Sequence, residues 1–272
     1  MPLSDSNSFS LSVILPNYNH ATHLPKTLES IFSQSQPADE VIVIDDASTD
    51  HSLEIVQEFQ KKYPQLKILR NESNIGAVQT INRGIKEAKG SHLIFCAADD
   101  YTFPKFFEKA SEMLKLHPTL GLCCGEISYF NDVFPLKLIY HPTFNNPHQF
   151  SPKELRRVLQ LTPFFIHSSA TLYKREAVIK YGGLKESLGS LSDWYLNWQI
   201  AFHYGVGYIP ELFGAFRLSE GSYSQKQKRS KSRNEFYQKL LDEIGTGGKK
   251  WNQFFIATGL LAHIGAPVLP FI

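Results

Sequence analysis

The sequence of 272 residues predicts an α/β fold in which helices flank a mostly parallel, Rossmann-like sheet. Short apolar runs alternate with segments of helical periodicity through the first half of the chain. Two of those runs lead into paired carboxylates, Asp45-Asp46 and Asp99-Asp100. With 42% hydrophobic and 13% aromatic residues, the composition supports a sizeable core and excludes global disorder.

The elements of the first half follow one another as strand and helix in turn. Val41–Ile44 is a continuous β-branched run, typical of a strand buried on both faces, and Asp50 is placed to cap the helix after it. Right-handed crossovers then bring the strands side by side. The predicted strands are Leu11–Leu15, Val41–Ile44, Leu66–Leu69 and His92–Ala97, and the predicted helices carry apolar positions within Leu24–Phe32, Leu53–Phe59 and Val78–Ala88, with a stop at Gly90.

The second half is less regular. A capping box runs from Ser151 to Glu154, with proline at the first helical position. Further predictions are strands over Gly121–Ile127 and Phe164–Tyr173, a loop over 130–150 and a helix opened by Ser192-Asp193. The predicted organisation is a polar arm over 1–9, one domain over 10–220 with a nucleotide half (10–128) and an acceptor half (129–220), and a basic segment with an apolar tail over 221–272.

Charge, cysteine content and missing motifs narrow the class of protein. The formal net charge of +2 argues against a nucleic-acid partner. Three cysteines argue against a disulfide scaffold, and with no predicted secretory signal they favour a cytoplasmic location. The sequence has no P-loop, no G-x-G-x-x-G after the first strand and no G-x-S-x-G elbow, which excludes the enzyme classes built on those motifs.

Candidate site residues gather at one predicted edge of the sheet. Ligands of open α/β sheets bind beyond the carboxyl ends of the strands, where Asn17 to Asn19, Asp45-Asp46 and Asp99-Asp100 follow strands. Paired carboxylates directly after a buried strand are costly unless something binds them, and oxygen ligands suit Mg²⁺ or Mn²⁺. The sequence therefore predicts a divalent cation that holds a diphosphate at this edge.

Three stretches resemble a known family: VILPNYNHATHLPKTLESIFSQSQPADEVIVIDDASTD, NIGAVQTINRGIKEAKGSHLIFCAADD, and Gly182-Gly183-Leu184 followed by Ser192-Asp193-Trp194. Together they are similar to the motifs of the family 2 glycosyltransferases, which have the GT-A fold. The resemblance implies a metal-dependent inverting transfer from a nucleotide-diphosphate sugar, most commonly a UDP-sugar, to a hydroxyl of a cell-envelope glycan or lipid-linked glycan. It also implies a C-terminal acceptor half and assigns no role to nucleic acid.

The resemblance also implies roles for single residues. Asp193 corresponds to the catalytic base, and Asp99 and Asp100 to the residues that hold Mg²⁺ or Mn²⁺. The implied contacts of the donor nucleotide are Pro16, Tyr18, Asp46, Asn74 and Asp99. Because Asp193 opens a helix, we expect the helix N-terminus to keep its carboxylate ionised.

Two alternative functions stay open at this point. A nucleotidyltransferase would carry a Gly-rich loop with Arg and Lys after the first strand, where this chain has Asn17 to His20. A non-catalytic sugar-nucleotide-binding or membrane-attached scaffold is favoured by Ala97, which stands where the family often has an acidic residue.

His167 is expected to be a structural histidine, and Arg217 either meets phosphate or lies on the surface.

The tail admits three interpretations: a membrane-surface anchor, a helix docked on the domain, or a membrane span. It follows a cluster of Lys and Arg between Lys226 and Arg233, and two prolines near its end weaken a span. We predict an anchor through 250–272 at the cytoplasmic face of the inner leaflet. Its apolar stripe would be Trp251, Phe254, Phe255, Thr258 and Leu261.

Overall fold

The computed structural model describes residues 9–131, 143–162, 164–218 and 233–263. The strands in these ranges are β1 (Leu11–Asn17), β2 (Glu40–Asp45), β3 (Leu66–Arg70), β4 (His92–Phe95), β5 (Tyr101–Thr102), β6 (Leu122–Phe130), β7 (His148–Phe150), β8 (Thr171–Lys174) and β9 (Val206–Arg217). The helices are α1 (Leu24–Phe32), α2 (Ser52–Lys62), α3 (Ala77–Glu87), α4 (Phe106–Leu116), α5 (Pro152–Leu161), α6 (Arg175–Lys180), α7 (Ser192–Tyr204), α8 (Arg233–Thr246), α9 (Lys249–Thr258) and α10 (Leu260–His263), with 3₁₀ turns at Ser168–Ala170 and Glu186–Leu191.

The described strands form one mixed sheet in the order β3-β2-β1-β4-β8-β6-β9-β5, with β7 beside β9. Strands β1 to β4 pair in parallel, so their carboxyl ends lie at one edge of the sheet. The backbone N–H of Asp46 donates to the carbonyl of Asn17 over 2.8 Å, which extends the β1–β2 pairing to that edge. The predicted α/β architecture is confirmed.

Both faces of the parallel strands are covered, as their continuous apolar runs predict. In β2, Ile42 and Ile44 belong to one buried cluster with residues of α3, while Val41 and Val43 belong to a second with residues of α1 and α4. Successive residues of a strand point to opposite faces, so an uninterrupted β-branched run needs helices on both sides.

The second half of the chain departs from the prediction in two places. The strand expected over Phe164–Tyr173 begins only at Thr171, because Asn197 of α7 binds the carbonyl of Ile166 and Ser168–Ala170 turn as 3₁₀. The region expected to be a loop over 130–150 contains the short strand β7, paired antiparallel with β9; residues 132–142 lie outside the described ranges. The capping box before α5 is present: the Glu154 N–H donates to Ser151 Oγ over 3.3 Å.

The prediction of a membrane interface through the tail stripe is wrong for the side chains of α9. Trp251, Phe254, Phe255 and Thr258 are buried, because α9 packs on α5 and its rings meet those of α7. The Phe254 ring lies 4.9 Å from that of Phe202. Leu261 is half-buried against the same cluster, and residues 264–272 lie outside the described ranges. In the ranges that are described, no helix combines the length and apolarity needed to cross a bilayer.

Candidate active site

Asp46 is fixed by three donors at the carboxyl end of β2. Its Oδ1 accepts from Asn71 Nδ2 (2.7 Å) and from the Ile75 N–H (2.9 Å), and its Oδ2 accepts from the Gly76 N–H (2.9 Å). Gly76 adopts φ +89°, a conformation that favours glycine, and so turns its N–H toward the carboxylate. The carboxylate is held in one orientation with acceptor capacity left on Oδ2.

Asn71 is a site residue that the motifs did not single out. It is buried, follows β3 directly, and also donates to Thr80 Oγ1 over 3.1 Å. Its own Oδ1 accepts from the Arg83 guanidinium, so its amide orientation is determined by partners on both sides. Asn74, predicted to bind the donor, is exposed in the same loop, and its Oδ1 accepts from the Gly76 N–H over 3.1 Å.

The loop after β1 presents Tyr18, whose side chain is 44% exposed. Asn19 holds this loop in place: it has φ +57°, its N–H donates to Ser48 Oγ (3.0 Å), and its Oδ1 accepts from the Thr49 N–H (2.8 Å). Pro16 lies within β1 opposite Ile44 of β2. Tyr18 therefore lies at the same edge as Asp46.

Asp45 plays a different part from its neighbour. Its carboxylate is fully buried and accepts from Asn17 Nδ2 (3.1 Å) and from the Ser48 N–H (3.1 Å), with Arg70 Nε at 3.5 Å. These bonds tie the end of β1 to the turn after β2. Asp45 thus stabilises the edge of the sheet at which Tyr18 and Asp46 lie.

Asp100 is the last residue of the loop between β4 and β5. Its Oδ1 accepts from the Arg217 N–H over 2.9 Å, while its buried Oδ2 has no hydrogen-bond partner among the described residues. Burial first, and then the charge of Asp99, raise the pKa of Asp100 well above the usual aspartate range, although Arg217 opposes this. A second cationic or donor group at Oδ2 would relieve this cost.

Arg217 is not a surface charge; a contact with phosphate stays a prediction. It is buried, with its guanidinium carbon 4.5 Å from the ring centroid of Phe130. Its Nε donates to the Asp99 carbonyl (3.3 Å) and its terminal nitrogen to Tyr101 Oη (3.0 Å). Arg217 therefore fixes the Asp99–Tyr101 backbone against β6 and β9.

The Asp99-Asp100 pair fits a divalent cation. Asp99 is half-buried and precedes Asp100, whose buried Oδ2 has no partner among the described residues. Carboxylate oxygens are ligands that Mg²⁺ and Mn²⁺ accept. No cluster of three or more His, Cys, Asp or Glu suited to a metal occurs within the described ranges. The remaining ligands would have to come from a diphosphate or from water.

Asp193 lies in the first turn of α7, half-buried, with its Oδ1 accepting from the Trp194 N–H over 2.7 Å. Burial raises its pKa, while hydrogen bonds from the Ser168 hydroxyl and from backbone N–H groups act in the opposite direction. Burial is the largest of these effects on the pKa of Asp193, and the expectation that the helix N-terminus keeps its carboxylate ionised stays a prediction. A carboxylate with a raised pKa holds a proton more readily, as a general base requires.

Gly214 of β9 lies between strand β5 and the turn that precedes β8. A Cβ placed on Gly214 would lie 3.2 Å from the Tyr101 carbonyl oxygen and 3.3 Å from that of Ser169. The loop that carries Asp99 and Asp100 is thus adjacent to the turn that carries Ser168. His167, at the start of that turn, has its pKa lowered by burial to about 4 and is neutral near pH 7, which agrees with a structural role.

The fold is that of the GT-A glycosyltransferases. The structure superposes on Staphylococcus aureus TarS 1-349 in complex with UDP-GlcNAc with a TM-score of 0.70, at 21% identity, covering 85% of this chain and 64% of TarS. It superposes on the mannosyltransferase PcManGT of Pyrobaculum calidifontis, in complex with GDP-Man and Mn²⁺, with a TM-score of 0.67, at 21% identity, covering 94% of this chain and 70% of that one. At this identity the likeness shows the fold.

The model of glycosyl transferase family 2 matches residues 12–182, and the chain belongs to that family. Mycobacterium tuberculosis protein Rv1520 is 27% identical over 231 residues, covering 80% of this chain and 63% of its own length. A poly(ribitol-phosphate) beta-glucosyltransferase of Bacillus spizizenii is 35% identical over 94 residues, 34% of this chain and 15% of its own length. The chain thus spans about 63% of the mycobacterial relative.

Proposed function

We propose that the protein is a metal-dependent inverting glycosyltransferase that moves a sugar from a nucleoside-diphosphate sugar to a hydroxyl acceptor. The observation that carries this proposal is that a chain with the GT-A fold holds three carboxylates in three different environments. Asp46 is oriented by three donors, Asp100 has one oxygen with no hydrogen-bond partner among the described residues, and burial raises the pKa of Asp193. We assign each carboxylate a different part in the reaction: recognition of the nucleotide base to Asp46, metal binding to Asp100 and proton transfer to Asp193.

The donor base is proposed to lie between Tyr18 and Asp46. The free acceptor capacity of Asp46 Oδ2 suits a ring N–H of a base such as uracil, and the exposed ring of Tyr18 offers a stacking surface. Pro16, within β1, and Asn74, in the loop after β3, complete the proposed nucleotide contacts. TarS has been solved with UDP-GlcNAc and PcManGT with GDP-Man; we propose a UDP-sugar for this chain.

Asp99 and Asp100 are proposed to hold Mg²⁺ or Mn²⁺ with the diphosphate. When bound, such an ion supplies Lewis-acid stabilisation of charge on the departing phosphate oxygens. Asp99 would also lie against the ribose. Arg217 keeps this loop in position through its bonds to the Asp99 carbonyl and to Tyr101.

The proposed chemical step is a single displacement. The acceptor oxygen forms a bond to the anomeric carbon on the face opposite the diphosphate, and the bond from that carbon to the phosphate oxygen breaks. Asp193 takes the proton of the acceptor hydroxyl, an assistance typically worth about 10²–10⁴-fold in rate. Because the displacement is direct, the configuration at the anomeric carbon inverts.

The acceptor is proposed to be a glycan or lipid-linked glycan of the cell envelope. Support comes from the Bacillus spizizenii relative, whose name gives a poly(ribitol-phosphate) acceptor. We also propose that the catalytic domain spans residues 10–220, with the nucleotide half over 10–128 and the acceptor half over 129–220.

The test is nucleotide release from UDP-GlcNAc, UDP-glucose and GDP-mannose, each with Mn²⁺ and with EDTA. We expect release from at least one donor that depends on Mn²⁺ and is lost in Asp193→Asn, while donor binding by calorimetry stays within a few-fold of wild type. Binding without any turnover would favour the non-catalytic scaffold. Formation of pyrophosphate from a nucleoside triphosphate and a sugar phosphate would favour the nucleotidyltransferase.

A further inference from the structure

The loop that carries Asp99 and Asp100 is held by a threonine of α1. Thr27 is buried, and its hydroxyl oxygen lies 3.0 Å from the Ala98 carbonyl oxygen and 2.9 Å from that of Asp100. A carbonyl oxygen can only accept, so the Thr27 hydroxyl donates its proton to this pair of oxygens. One side chain of α1 therefore fixes the backbone on both sides of Asp99.

Arg217 of β9 binds the same loop at the intervening positions. Its Nε donates to the Asp99 carbonyl (3.3 Å), and its backbone N–H donates to Asp100 Oδ1 (2.9 Å). The carbonyls of three successive residues, Ala98 to Asp100, thus accept from side chains of the protein. These bonds fix the backbone around Asp100 Oδ2, which has no hydrogen-bond partner among the described residues and is left as an acceptor for a cation.

Two further side chains hold the next stretch of this loop. Ser30 Oγ accepts from the Thr102 N–H (3.1 Å), and Gln34 Nε2 donates to Thr102 Oγ1 (3.2 Å). Thr27, Ser30 and Gln34 follow one another at intervals of three and four residues, the spacing at which side chains lie on the same face of a helix. One face of α1 and the residues just after it therefore bind the chain over 98–102.

We propose that Thr27 is a positioning residue for the cation site, whose hydroxyl keeps the Asp99 and Asp100 carboxylates in the arrangement that binds Mg²⁺ or Mn²⁺. The inference rests on the proposed role of that pair as metal ligands. Thr27 contacts neither the ion nor the donor in this proposal, and its effect passes through the loop backbone. Without the hydroxyl, the two carbonyls lose a common donor, and part of the free energy of metal binding is then lost in ordering the loop.

The test measures UDP binding by calorimetry, once with Mn²⁺ and once with EDTA. Thr27→Val keeps the shape of the side chain but removes the hydroxyl, and should weaken UDP binding in Mn²⁺ about threefold to tenfold. This lies below the roughly tenfold to hundredfold effect of groups that hydrogen-bond a metal ligand directly, because Thr27 holds the backbone rather than a carboxylate. UDP affinity in EDTA should change less than about twofold, because the proposed base contacts Tyr18 and Asp46 lie on other loops.

Two further measurements show that the effect belongs to the hydroxyl and to the metal. Thr27→Ser keeps the hydroxyl and should restore most of the affinity in Mn²⁺. At saturating UDP, the Mn²⁺ concentration at half-saturation, read from the electron paramagnetic resonance signal of free Mn²⁺, should rise in Thr27→Val by the same factor as the calorimetric loss.

Thr258→Val is the matched control for the loss of a buried helical hydroxyl. Thr258 is buried on α9 and donates to the Phe254 carbonyl one turn earlier over 2.7 Å. Its replacement should leave UDP affinity in Mn²⁺ unchanged, whatever it does to the free energy of unfolding. Ser30→Ala removes the acceptor of the Thr102 N–H in a chain that keeps Thr27, and should also raise the half-saturating Mn²⁺ concentration.

The outcomes distinguish this inference from the metal site on which it rests. Wild-type UDP affinity that is the same in Mn²⁺ and in EDTA overturns both. A wild type that needs Mn²⁺, with Thr27→Val and Ser30→Ala binding the ion and UDP equally well, overturns the role of Thr27 alone. Equal losses of affinity in Mn²⁺ and in EDTA, or a loss that Thr27→Ser does not restore, likewise overturn the positioning role. These binding measurements need no turnover, so they are independent of whether the chain transfers a sugar.

Discussion

Truncating Phe254 to alanine tests whether α9 belongs to the core of the domain. The Phe254 ring is fully buried, 4.9 Å from that of Phe202 and 6.3 Å from that of Trp198, both on α7. Replacing a buried phenylalanine by alanine costs about 3–5 kcal/mol, through lost burial and the cavity left behind. Since domains are stable by only about 5–15 kcal/mol, this loss is a large share of the total.

The matched control lies two residues further along the same helix. Ile256 is 68% exposed on α9, and Ile256→Ala should change the free energy of unfolding by no more than about 0.5 kcal/mol. Urea unfolding of the whole chain, followed by tryptophan fluorescence and circular dichroism, measures both values. Equal and small losses in the two variants, together with vesicle binding that depends on Phe254, would show that the helix leaves the domain and would refute the packing described above.

Four further predictions concern the carboxylates. Asp100→Ala should weaken Mn²⁺-dependent binding of UDP about tenfold in calorimetry, since a cation loses one of two protein ligands; affinity unchanged in both Asp100→Ala and Asp99→Ala would remove this metal site. Because burial raises the pKa of Asp193, its folded form binds a proton more tightly than the unfolded chain. Ionisation therefore costs stability as pH rises through the folded-state pKa. Asp193→Asn should accordingly be more stable than wild type at pH 8, with the gain shrinking toward low pH; a gain that is the same at pH 4 and pH 8 would contradict this. Wild-type kcat should fall at low pH through a pKa above that of an ordinary aspartate. Asn71→Ala should lower UDP affinity severalfold through misorientation of Asp46, whereas unchanged affinity would show that the two N–H donors suffice.

The sheet edge was predictable because it follows from two local signals. Continuous β-branched runs identify strands buried on both faces, and parallel pairing brings their carboxyl ends together. Applying the same rule to β3 identifies Asn71, since β3 ends at Arg70 and the next residue points at Asp46. The motifs did not identify Asn71, because a single asparagine after a short strand is not a recognisable sequence motif.

Other features depend on contacts that periodicity does not encode. An apolar stripe at helical spacing has the same sequence whether it faces lipid or α5, so the burial of Trp251 and Phe254 required the structure. The shortened strand β8 depends on Asn197, which lies 31 residues beyond its partner Ile166. The raised pKa of Asp193 reflects burial by distant segments, which the helix N-terminus alone does not reveal.

Four of the five carboxylates discussed above differ in how far the protein itself satisfies them, and this difference distinguishes a structural carboxylate from those proposed to bind or react. Asp45 is buried and its oxygens are occupied by neighbours in the chain, so it holds the edge together. Asp46 is oriented by three donors and retains acceptor capacity, which suits recognition of a neutral N–H group. Asp100 has a buried oxygen with no partner in the part of the chain that the structure describes, which costs stability unless a cation or a donor binds there. The hydrogen bonds to Asp193 only partly offset the effect of burial on its pKa. Its carboxylate therefore takes up a proton more readily than an exposed aspartate does.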